Sequence, residues 1–329
     1  MPTPTTPITH YFPVDPPPFK PSPGLFRLDR DFGNGPADQQ LTQLDQDFWR
    51  YRNNKLNARQ ERLSKYVAHH HLSDETQSAT CKRLIQIFTT EHPDWFTHEG
   101  DINTTCQLTC HLTEETLTFV NGHLTGTTPE VTPAYIHGID ALVSQIQEDL
   151  AIVQRDGPND WLAALHLCAP GHWAAEDKIG LDFALVHQPV PGIESIVKAQ
   201  TSMVRAMIDK SPLVRFVWGF GSDNRLNHHP QPPPEWDAVD WKGRRLLEGQ
   251  GDEPPFYLRI ERQTMQGLPE VNASLFFIHV YHLSGKDILA NQEQRKKLRE
   301  AITTMDHLTL VYKGLAESKD QLLNLLESK

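Results

Sequence analysis

Residues 165–192 form the chemically densest stretch of the sequence and constrain the fold most strongly. The stretch contains two apolar runs that we expect to be buried, and Pro189-Val190-Pro191 stands near its end. Because proline fixes its own φ angle and restricts the residue before it, the backbone around His187 has little freedom. Cys168, His172, Trp173 and Lys178 lie in the same stretch. We therefore expect a functional site here.

Length and charge limit the classes of protein to consider. A chain of 329 residues can form one large domain or two modest ones. Its 31 lysines and arginines are outnumbered by 42 aspartates and glutamates, which gives a formal net charge of -11. This balance argues against a nucleic-acid partner and against an anionic membrane surface.

The expected location is the cytoplasm or another reducing compartment inside the cell. No apolar run approaches the roughly 20 residues of a membrane helix, and the first residues lack the basic and apolar regions of a signal peptide. The sequence has four cysteines, and a chain of this length does not depend on disulfides as a small secreted domain does.

The hydrophobic pattern predicts an α+β fold, with an antiparallel sheet flanked by N- and C-terminal helices. We expect a Pro-rich extended tail over residues 1–24, a single domain over 25–286 and a C-terminal helical extension over 287–329. Helical spacing is found in residues 41–67, 139–153 and 196–208, and the extension carries one apolar face with Leu298, Ile302, Met305, Leu308 and Val311. Strands are predicted at CQLTCHL, ETLTFV and residues 161–168, 213–220, 257–260 and 274–282. Residues 224–251, with His228 and His229, are predicted to form a polar surface connection.

Several familiar site patterns are missing, including a Walker A loop, a GxGxxG turn, a GxSxG elbow and a CxxC pair. Cys106, Cys110 and His111 could suggest a metal, but period-two alternation favours two cysteines on one face of a strand. His69-His70-His71 is more typical of a solvated helix end than of a ligand set.

His187 is the strongest single candidate for a ligand. It ends the apolar run 183–186 and precedes Gln-Pro-Val-Pro, so its imidazole is held at the edge of the core. Metal or haem iron ligation requires an imidazole held in this way. A core histidine that is hydrogen-bonded to a carbonyl group is the competing interpretation, and both stay open.

A second set of candidates lies on two predicted strands. Period-two alternation places Arg259, Glu261 and Gln263 on one face, where charge is costly unless it is paired. Arg215 in LVRFVW has the same character, because an internal guanidinium usually meets a carboxylate from the protein, a substrate or a cofactor. A structural Arg/Glu pair is the alternative. Trp173 and Trp218 can wall a pocket, although buried tryptophans are also ordinary core residues.

Six separated motifs then resemble one family in the right order. They are LCAPGHW, EDKIG, VHQPVPG, VRFVW, LRIERQTMQGLP and FFIHVY, preceded by GLFRLD, FWRYRNNKLNARQERL and HPDWF. Together they resemble the alpha subunit of haem-dependent oxidative N-demethylase, also called dimethylamine monooxygenase. The resemblance runs from about Tyr11 to His282.

The resemblance implies a Per-ARNT-Sim-like fold that binds haem b through a histidine. It implies oxidative removal of an N-methyl group from a small methylated amine by O2, with formaldehyde as a product. Electrons would come from NADPH through a separate reductase that carries FMN and a 2Fe-2S cluster. This chain has neither a dinucleotide fingerprint nor a cysteine set for a cluster, so that partner would have to be another subunit or protein.

Roles follow from the resemblance motif by motif. His187 is the expected axial ligand of the haem iron, with His172 and His279 as runners-up. Glu261, Arg215 and Trp218 are the expected catalytic residues, with Glu261 holding an alkylammonium ion. Cofactor binding is expected from His187, Arg259, Arg262 and Lys178.

Two motifs depart from the family pattern. The resemblance leads us to expect Arg-x-Asn-Trp where this chain has Arg215-Phe216-Val217-Trp218, and a doubled arginine where it has residues 265–268, Met-Gln-Gly-Leu. Alternative functions are therefore a haem-binding gas or redox sensor of the same fold without turnover, or a haem-free scaffold protein.

Overall fold

Two antiparallel sheets organise the chain in the computed structural model, which describes residues 2–15, 18–19, 24–210, 212–244 and 254–327, except for the side chains of residues 195 and 196. The strands are β1 Phe26–Arg27, β2 Val67–His69, β3 Phe96–Gly100, β4 Thr105–Cys110, β5 Glu115–Val120, β6 His123–Thr128, β7 Asp149–Asp156, β8 Asn159–His166, β9 Leu213–Gly221, β10 Tyr257–Leu268 and β11 Ala273–Ser284. Within these residues the larger sheet has the order β1-β9-β10-β11-β7-β8-β2, and the smaller sheet has the order β3-β4-β5-β6.

Helices cover both sheets. They are α1 Phe48–Arg62, α2 Asp74–Glu91, α3 Gly138–Val143, α4 Ala175–Lys178, α5 Phe183–Val186, α6 Glu194–Asp209, α7 Ala238–Lys242, α8 Gly285–Ala290, α9 Gln292–Thr304, α10 His307–Tyr312 and α11 Lys319–Glu327. The predicted α+β class, with antiparallel sheets and flanking helices, is confirmed. Within the described ranges, no helix combines the length and apolar character that crossing a bilayer requires.

The hairpin of β10 and β11 forms the centre of the larger sheet. Its twelve residue pairs run from Tyr257 opposite Ser284 to Leu268 opposite Ala273. The sequence predicted that the first strand would end at Ile260, and this prediction was wrong. The strand continues through the polar residues after Ile260 because they alternate between two covered faces, each of which offers them partners.

The two faces of the larger sheet pack against different layers. On one face, Met265, Ile278 and Val280 pack with Val204 and other apolar residues of α6. On the other face, residues of β9 to β11 pack with α8 to α11 and with Tyr11 and Val14 of the N-terminal tail. A further cluster joins the smaller sheet, α2 and α3 to β7 and β11.

Helix α1 crosses between the sheets with a buried basic face. Arg52 pairs with Glu115, and Arg59 pairs with Asp140. The ammonium of Lys55 donates to the carbonyl oxygens of residues 143, 146 and 148. The helix was predicted, but its buried cations were not, since lysine and arginine are seldom fully buried unless they are paired.

Residues 139–153 were predicted to be one helix, and this prediction was wrong. The helix α3 ends at Val143, and β7 begins at Asp149. Every residue from 138 to 153 is buried, so the apolar pattern did not distinguish a buried helix from a buried strand.

Two further predictions about exposure were also wrong. His228 and His229, predicted to lie on the surface, are only 4% and 2% exposed. Of the apolar face predicted for the C-terminal extension, Leu308 is 70% exposed and Val311 is 50% exposed. The reason is a break in the helix: α9 ends at Thr304, and Asp306 caps a new helix with a different orientation of its faces. Residues 245–253 of the predicted connection lie outside the described residues.

The cysteine prediction was correct. Cys106 and Cys110 are both buried on the same face of β4, and all four cysteines are free thiols. His69 belongs to β2 rather than to a helix end.

Candidate functional site

A cavity of about 540 Å³ lies against the face of the larger sheet that carries Glu261. This volume is within the roughly 300–1,000 Å³ that is typical of small-molecule and cofactor sites. Strands β7 to β11 form its floor, residues 171–192 and α6 cover it, and parts of α10 and of the N-terminal tail close one side.

Strand register produces the polar half of the floor. Arg215 on β9 is directly opposite Gln263 on β10, and Val217 is opposite Glu261. Alternation therefore places Arg259, Glu261 and Gln263 on the cavity face together with Arg215, as the sequence predicted. The other half of the floor is apolar and consists of Ala151, Val153, Leu162, Leu165, Phe276 and Ile278.

His187 lies in the cover of the cavity, directly after α5. The helix begins at Asp182, whose side chain accepts a hydrogen bond from the amide of Leu185, and it lasts only one turn. The Nδ1 atom of His187 donates to the carbonyl oxygen of Phe183 at 2.7 Å, and the two rings lie 4.4 Å apart. This bond orients the ring and fixes the tautomer, so the lone pair is on Nε2.

Burial keeps the imidazole of His187 neutral. It lowers the pKa of His187 to about 4, although the bond to Phe183 opposes the shift. A neutral imidazole with one engaged nitrogen and one available lone pair is the form that binds a metal. The sequence left two interpretations of His187 open, a core histidine bonded to a carbonyl group and a metal ligand. The structure makes them compatible, because one ring nitrogen bonds to the carbonyl oxygen and the other is available as a ligand.

Arg215 is a buried cation that needs an anion. Burial lowers its pKa, with Tyr312 and Glu261 opposing the shift. Its Nε atom is buried without a hydrogen-bond partner, and no ion pair joins Arg215 to another described residue. Because a buried guanidinium that lacks an anion is costly, the site suits a negatively charged ligand group.

Arg259 and Glu261 form a more satisfied pair. The guanidinium of Arg259 donates to the carbonyl oxygens of Leu226 and Ala169, and its Nε lies 3.5 Å from Oε1 of Glu261. The other carboxylate oxygen of Glu261 accepts a hydrogen bond of 3.0 Å from Gln263. Glu261 is thus held in a fixed orientation and retains a 16% exposed side chain in the cavity.

Three other predicted residues also line the cavity. Lys178 and His172 belong to its cover, and Trp218 lies at the side closed by the tail. Strand β1 pairs only with Leu213 and Val214, so no described strand covers the rest of the outer edge of β9. The cavity extends around this open edge and reaches Trp218.

Two predicted residues lie outside the cavity. The guanidinium of Arg262 is on the opposite face of β10, where it donates to the carbonyl oxygens of Asp38 and Gln40. His279, a runner-up for the ligand, is completely buried and bonded to Glu148 at 2.7 Å. The assignment of these two residues to a cofactor is therefore corrected: period-two alternation turns both away from Glu261 and Arg215.

The C-terminal segment contributes residues that the sequence did not indicate. Tyr312 and Lys313 line the cavity, as do Asp15 of the tail and Arg244 after α7. The Lys313 ammonium lies 4.0 Å from the centre of the Trp218 ring and donates to the Trp218 carbonyl oxygen. Burial lowers its pKa to about 7. A lysine after an amphipathic helix gives no signal of burial, so pattern alone could not find it.

A separate buried cluster contains Asp149, His166 and Cys168, whose potential ligand atoms lie within 4.8 Å of one another. Burial raises the pKa of the Cys168 thiol, which keeps it protonated. Asp149 already interacts with the Lys55 ammonium and accepts a hydrogen bond from the amide of Ala169. The other carboxylate oxygen of Asp149, Oδ1, is buried without a hydrogen-bond partner.

The fold and the cavity define an α+β protein with an internal site suited to an anionic cofactor that a histidine can ligate. Residues 35–323 match the model of the family described as haem-dependent oxidative N-demethylase, alpha subunit-like. The chain belongs to this family, as the sequence motifs predicted. The name of the family indicates dependence on haem, oxidative N-demethylation and a partner subunit.

The cavity residues fit a haem. His187 offers one neutral nitrogen, the floor has an apolar half for a flat hydrophobic ring, and basic side chains stand at the margins. The Nε atom of Arg244 is buried without a hydrogen-bond partner and provides a donor for a propionate carboxylate. Lys178 in the cover and Arg244 in the side wall are cations that could form ion pairs with the propionate groups.

Proposed function

We propose that this chain is the haem-binding subunit of an oxidative N-demethylase that acts on a small methylated amine with O2. The observation that carries the proposal is the bond from Nδ1 of His187 to Phe183, which leaves Nε2 as the ligand for a haem b iron. The antiparallel sheet with helices over the cavity supports a Per-ARNT-Sim-like haem fold. The family match supports the reaction class.

The charged cavity residues have separate roles in this proposal. His187 holds the cofactor, Lys178 and Arg244 stabilise its propionates, and Arg259, which was expected to bind the cofactor, orients Glu261. A bound haem would supply the redox-active iron for reaction with oxygen. Glu261 accepts a hydrogen bond from the amine nitrogen, and the apolar floor excludes water from the reacting methyl group. The Trp218 side chain, which is opposite Ile260 and faces the layer away from Glu261, closes the side of the cavity with Phe19 and Lys313.

Electrons must enter from outside the chain. The sequence has no dinucleotide-binding turn and no cysteine set for an iron–sulfur cluster. The family description as an alpha subunit supports a second subunit. We propose that this partner is an NADPH-dependent reductase with FMN and a 2Fe-2S cluster.

A haem-based sensor is the second candidate. Val217, which replaces the asparagine expected from the family pattern, lies directly opposite Glu261 in the cavity floor. Loss of a polar amide at this position removes one hydrogen-bond donor beside Glu261 in the cavity floor. Such a change favours ligand binding without turnover.

Haem reconstitution tests the proposal. Purified protein should develop a Soret band with haem, and His187→Ala should lose or shift it, whereas His98→Ala on the exposed side of β3 should not. Formaldehyde formation from a panel of methylated amines, with dithionite or a surrogate reductase and oxygen, then separates the enzyme from the sensor. Absence of haem uptake would falsify both candidates.

A further inference from the structure

Basic side chains outnumber acidic ones in the cavity wall among the described residues. The cations are Lys178, Arg215, Arg244, Arg259 and Lys313, and the carboxylates are Asp15 and Glu261. Lys313, with its pKa lowered by burial to about 7, is about half charged at neutral pH, so the positive excess is between two and three. The two propionates of a haem would reduce this excess to one or less.

A simple alkylammonium ion would increase the positive excess. Of the two carboxylates in the described cavity wall, only Glu261 is shielded from solvent, and it already interacts with Arg259 and Gln263. Asp15 is exposed, so solvent weakens its field. Desolvating an added cation in this environment is unfavourable unless the ligand brings a negative charge with it.

Arg215 is the cation best placed to receive that negative charge. Arg259 donates to two carbonyl oxygens, and Lys313 donates to Trp218, whereas Arg215 has a buried Nε atom without a partner. A guanidinium binds a carboxylate through two parallel hydrogen bonds. Its position in the floor, rather than at the margin, directs it toward the substrate region.

Strand register sets the separation of Arg215 and Glu261. Arg215 is opposite Gln263, and Glu261 is opposite Val217, so the two charged residues are diagonal neighbours on one face. Diagonal neighbours in an antiparallel pair are about 7–8 Å apart. A small molecule with an ammonium and a carboxylate attached to one carbon can reach both long side chains, with its carbon skeleton over Val217.

We propose that the substrate is an N-methylated amino acid, which Glu261 binds through the ammonium group and Arg215 binds through the carboxylate. This inference rests on the proposed function, because it specifies the amine of the same cavity. It also explains an apolar residue at position 217, since the Val217 side chain between the two charged groups contacts the methylene or methyl carbons of the ligand.

Calorimetric titration of the holoprotein tests the inference with three secondary amines. These are N-methylglycine, its methyl ester and dimethylamine, of which only the first carries a carboxylate. We expect N-methylglycine to bind at least about tenfold more tightly than the ester, since only its carboxylate can form a charge-assisted hydrogen bond with the guanidinium. Arg215→Met should remove this preference, whereas Arg205→Met on the exposed face of α6 should retain it.

Equal binding of the three ligands, or tighter binding of dimethylamine, overturns the inference. A loss of haem affinity in Arg215→Met with unchanged ligand preference also overturns it, because Arg215 would then be a propionate partner. Arg215→Lys keeps the buried charge if the methionine variant does not fold, and it should show an intermediate preference. Failure of haem uptake by the wild-type protein rejects the proposed function instead, and titration of the apoprotein still measures the ligand preference.

Discussion

Gly171 lies so close to Glu261 that a side chain at position 171 would push against the Glu261 carboxylate. A Cβ atom on Gly171 would lie 3.2 Å from Oε1 of Glu261 and 3.3 Å from Nε of Arg259. The backbone here cannot easily retreat, since the amide of His172 bonds to the carbonyl oxygen of His228 and the amide of His228 bonds to that of Pro170. The glycine therefore fixes how closely the cover approaches the carboxylate.

Gly171→Ala should displace the Glu261 carboxylate by a few tenths of an ångström and weaken amine binding by about tenfold, because charge-assisted hydrogen bonds depend steeply on geometry. Binding is measured by calorimetry and folding by circular dichroism. Gly126→Ala is the matched control, since its added Cβ would meet only Thr118 at 3.8 Å. Unchanged amine affinity in Gly171→Ala would show that Glu261 does not bind the amine.

Lys313→Met should stabilise the protein more at pH 6.5 than at pH 9.5. Burial lowers the pKa of Lys313 to about 7, although Asp15 and Glu261 oppose the shift. Between pH 7 and the ordinary lysine pKa the unfolded chain binds the additional proton, so wild-type stability rises with pH through this window. The cost of the buried charge is complete below pH 7.

Urea unfolding at the two pH values measures this effect. The unfolding free energy of the variant minus that of the wild type should be larger at pH 6.5 than at pH 9.5, by on the order of 2 kcal/mol. Comparing two pH values removes the pH-independent loss of the bond to Trp218. Lys296→Met, on an exposed part of α9, should show no such dependence. A pH-independent difference for Lys313→Met would mean that this ammonium keeps an ordinary pKa.

Arg59→Met should destabilise the protein by about 3–5 kcal/mol, because it leaves the Asp140 carboxylate buried without its cation. The side chains of Arg59 and Asp140 are both fully buried, and His166 is only a second partner at 3.3 Å. Arg205→Met breaks the exposed pair with Asp209 and should cost less than about 1 kcal/mol. Similar unfolding free energies for the two variants in urea would contradict the prediction.

Arg262→Gln should reduce stability by about 2 kcal/mol without changing haem uptake. Its guanidinium bonds to the carbonyl oxygens of Asp38 and Gln40 on the face away from the cavity, and those oxygens would lose a buried donor. The measurements are urea unfolding and the Soret titration. If the variant folds but its haem affinity falls by more than about tenfold, the prediction is contradicted and Arg262 contributes to cofactor binding.

Sequence patterns predicted the strands well where a single period dominated. The segments at β4, β5, β8 and β9 alternate or are bounded by turn residues, and each formed close to its predicted position. The sequence did not show that residues 138–153 contain a helix followed by a strand. All of these residues are buried, so neither the helical nor the extended pattern of apolar residues can be recognised. It ended β10 too early, since a strand with polar residues on one covered face resembles a loop.

The cavity was predictable as far as strand alternation reached. His187, Arg215 and Glu261 line one cavity, as the motifs indicated, while their chemical roles stay predictions. The assignment of Arg262 to the cofactor site conflicted with the alternation that places Arg259 and Glu261 on one face. Applying that alternation to Arg262 would have avoided the error. Lys313 and Asp15 could not have been found, because only tertiary packing brings the two ends of the chain to β9.

Strand β10 has a consequence for how sequences of this kind can change in length. Its odd-numbered residues from Arg259 to Gln263 face the cavity, and the even-numbered residues from Leu258 to Thr264 face the opposite layer. A single-residue insertion would exchange the two sets, placing Arg262 in the cavity and Glu261 among apolar helices. Related chains should therefore vary here by substitution, and their insertions should fall at the turn around Glu270.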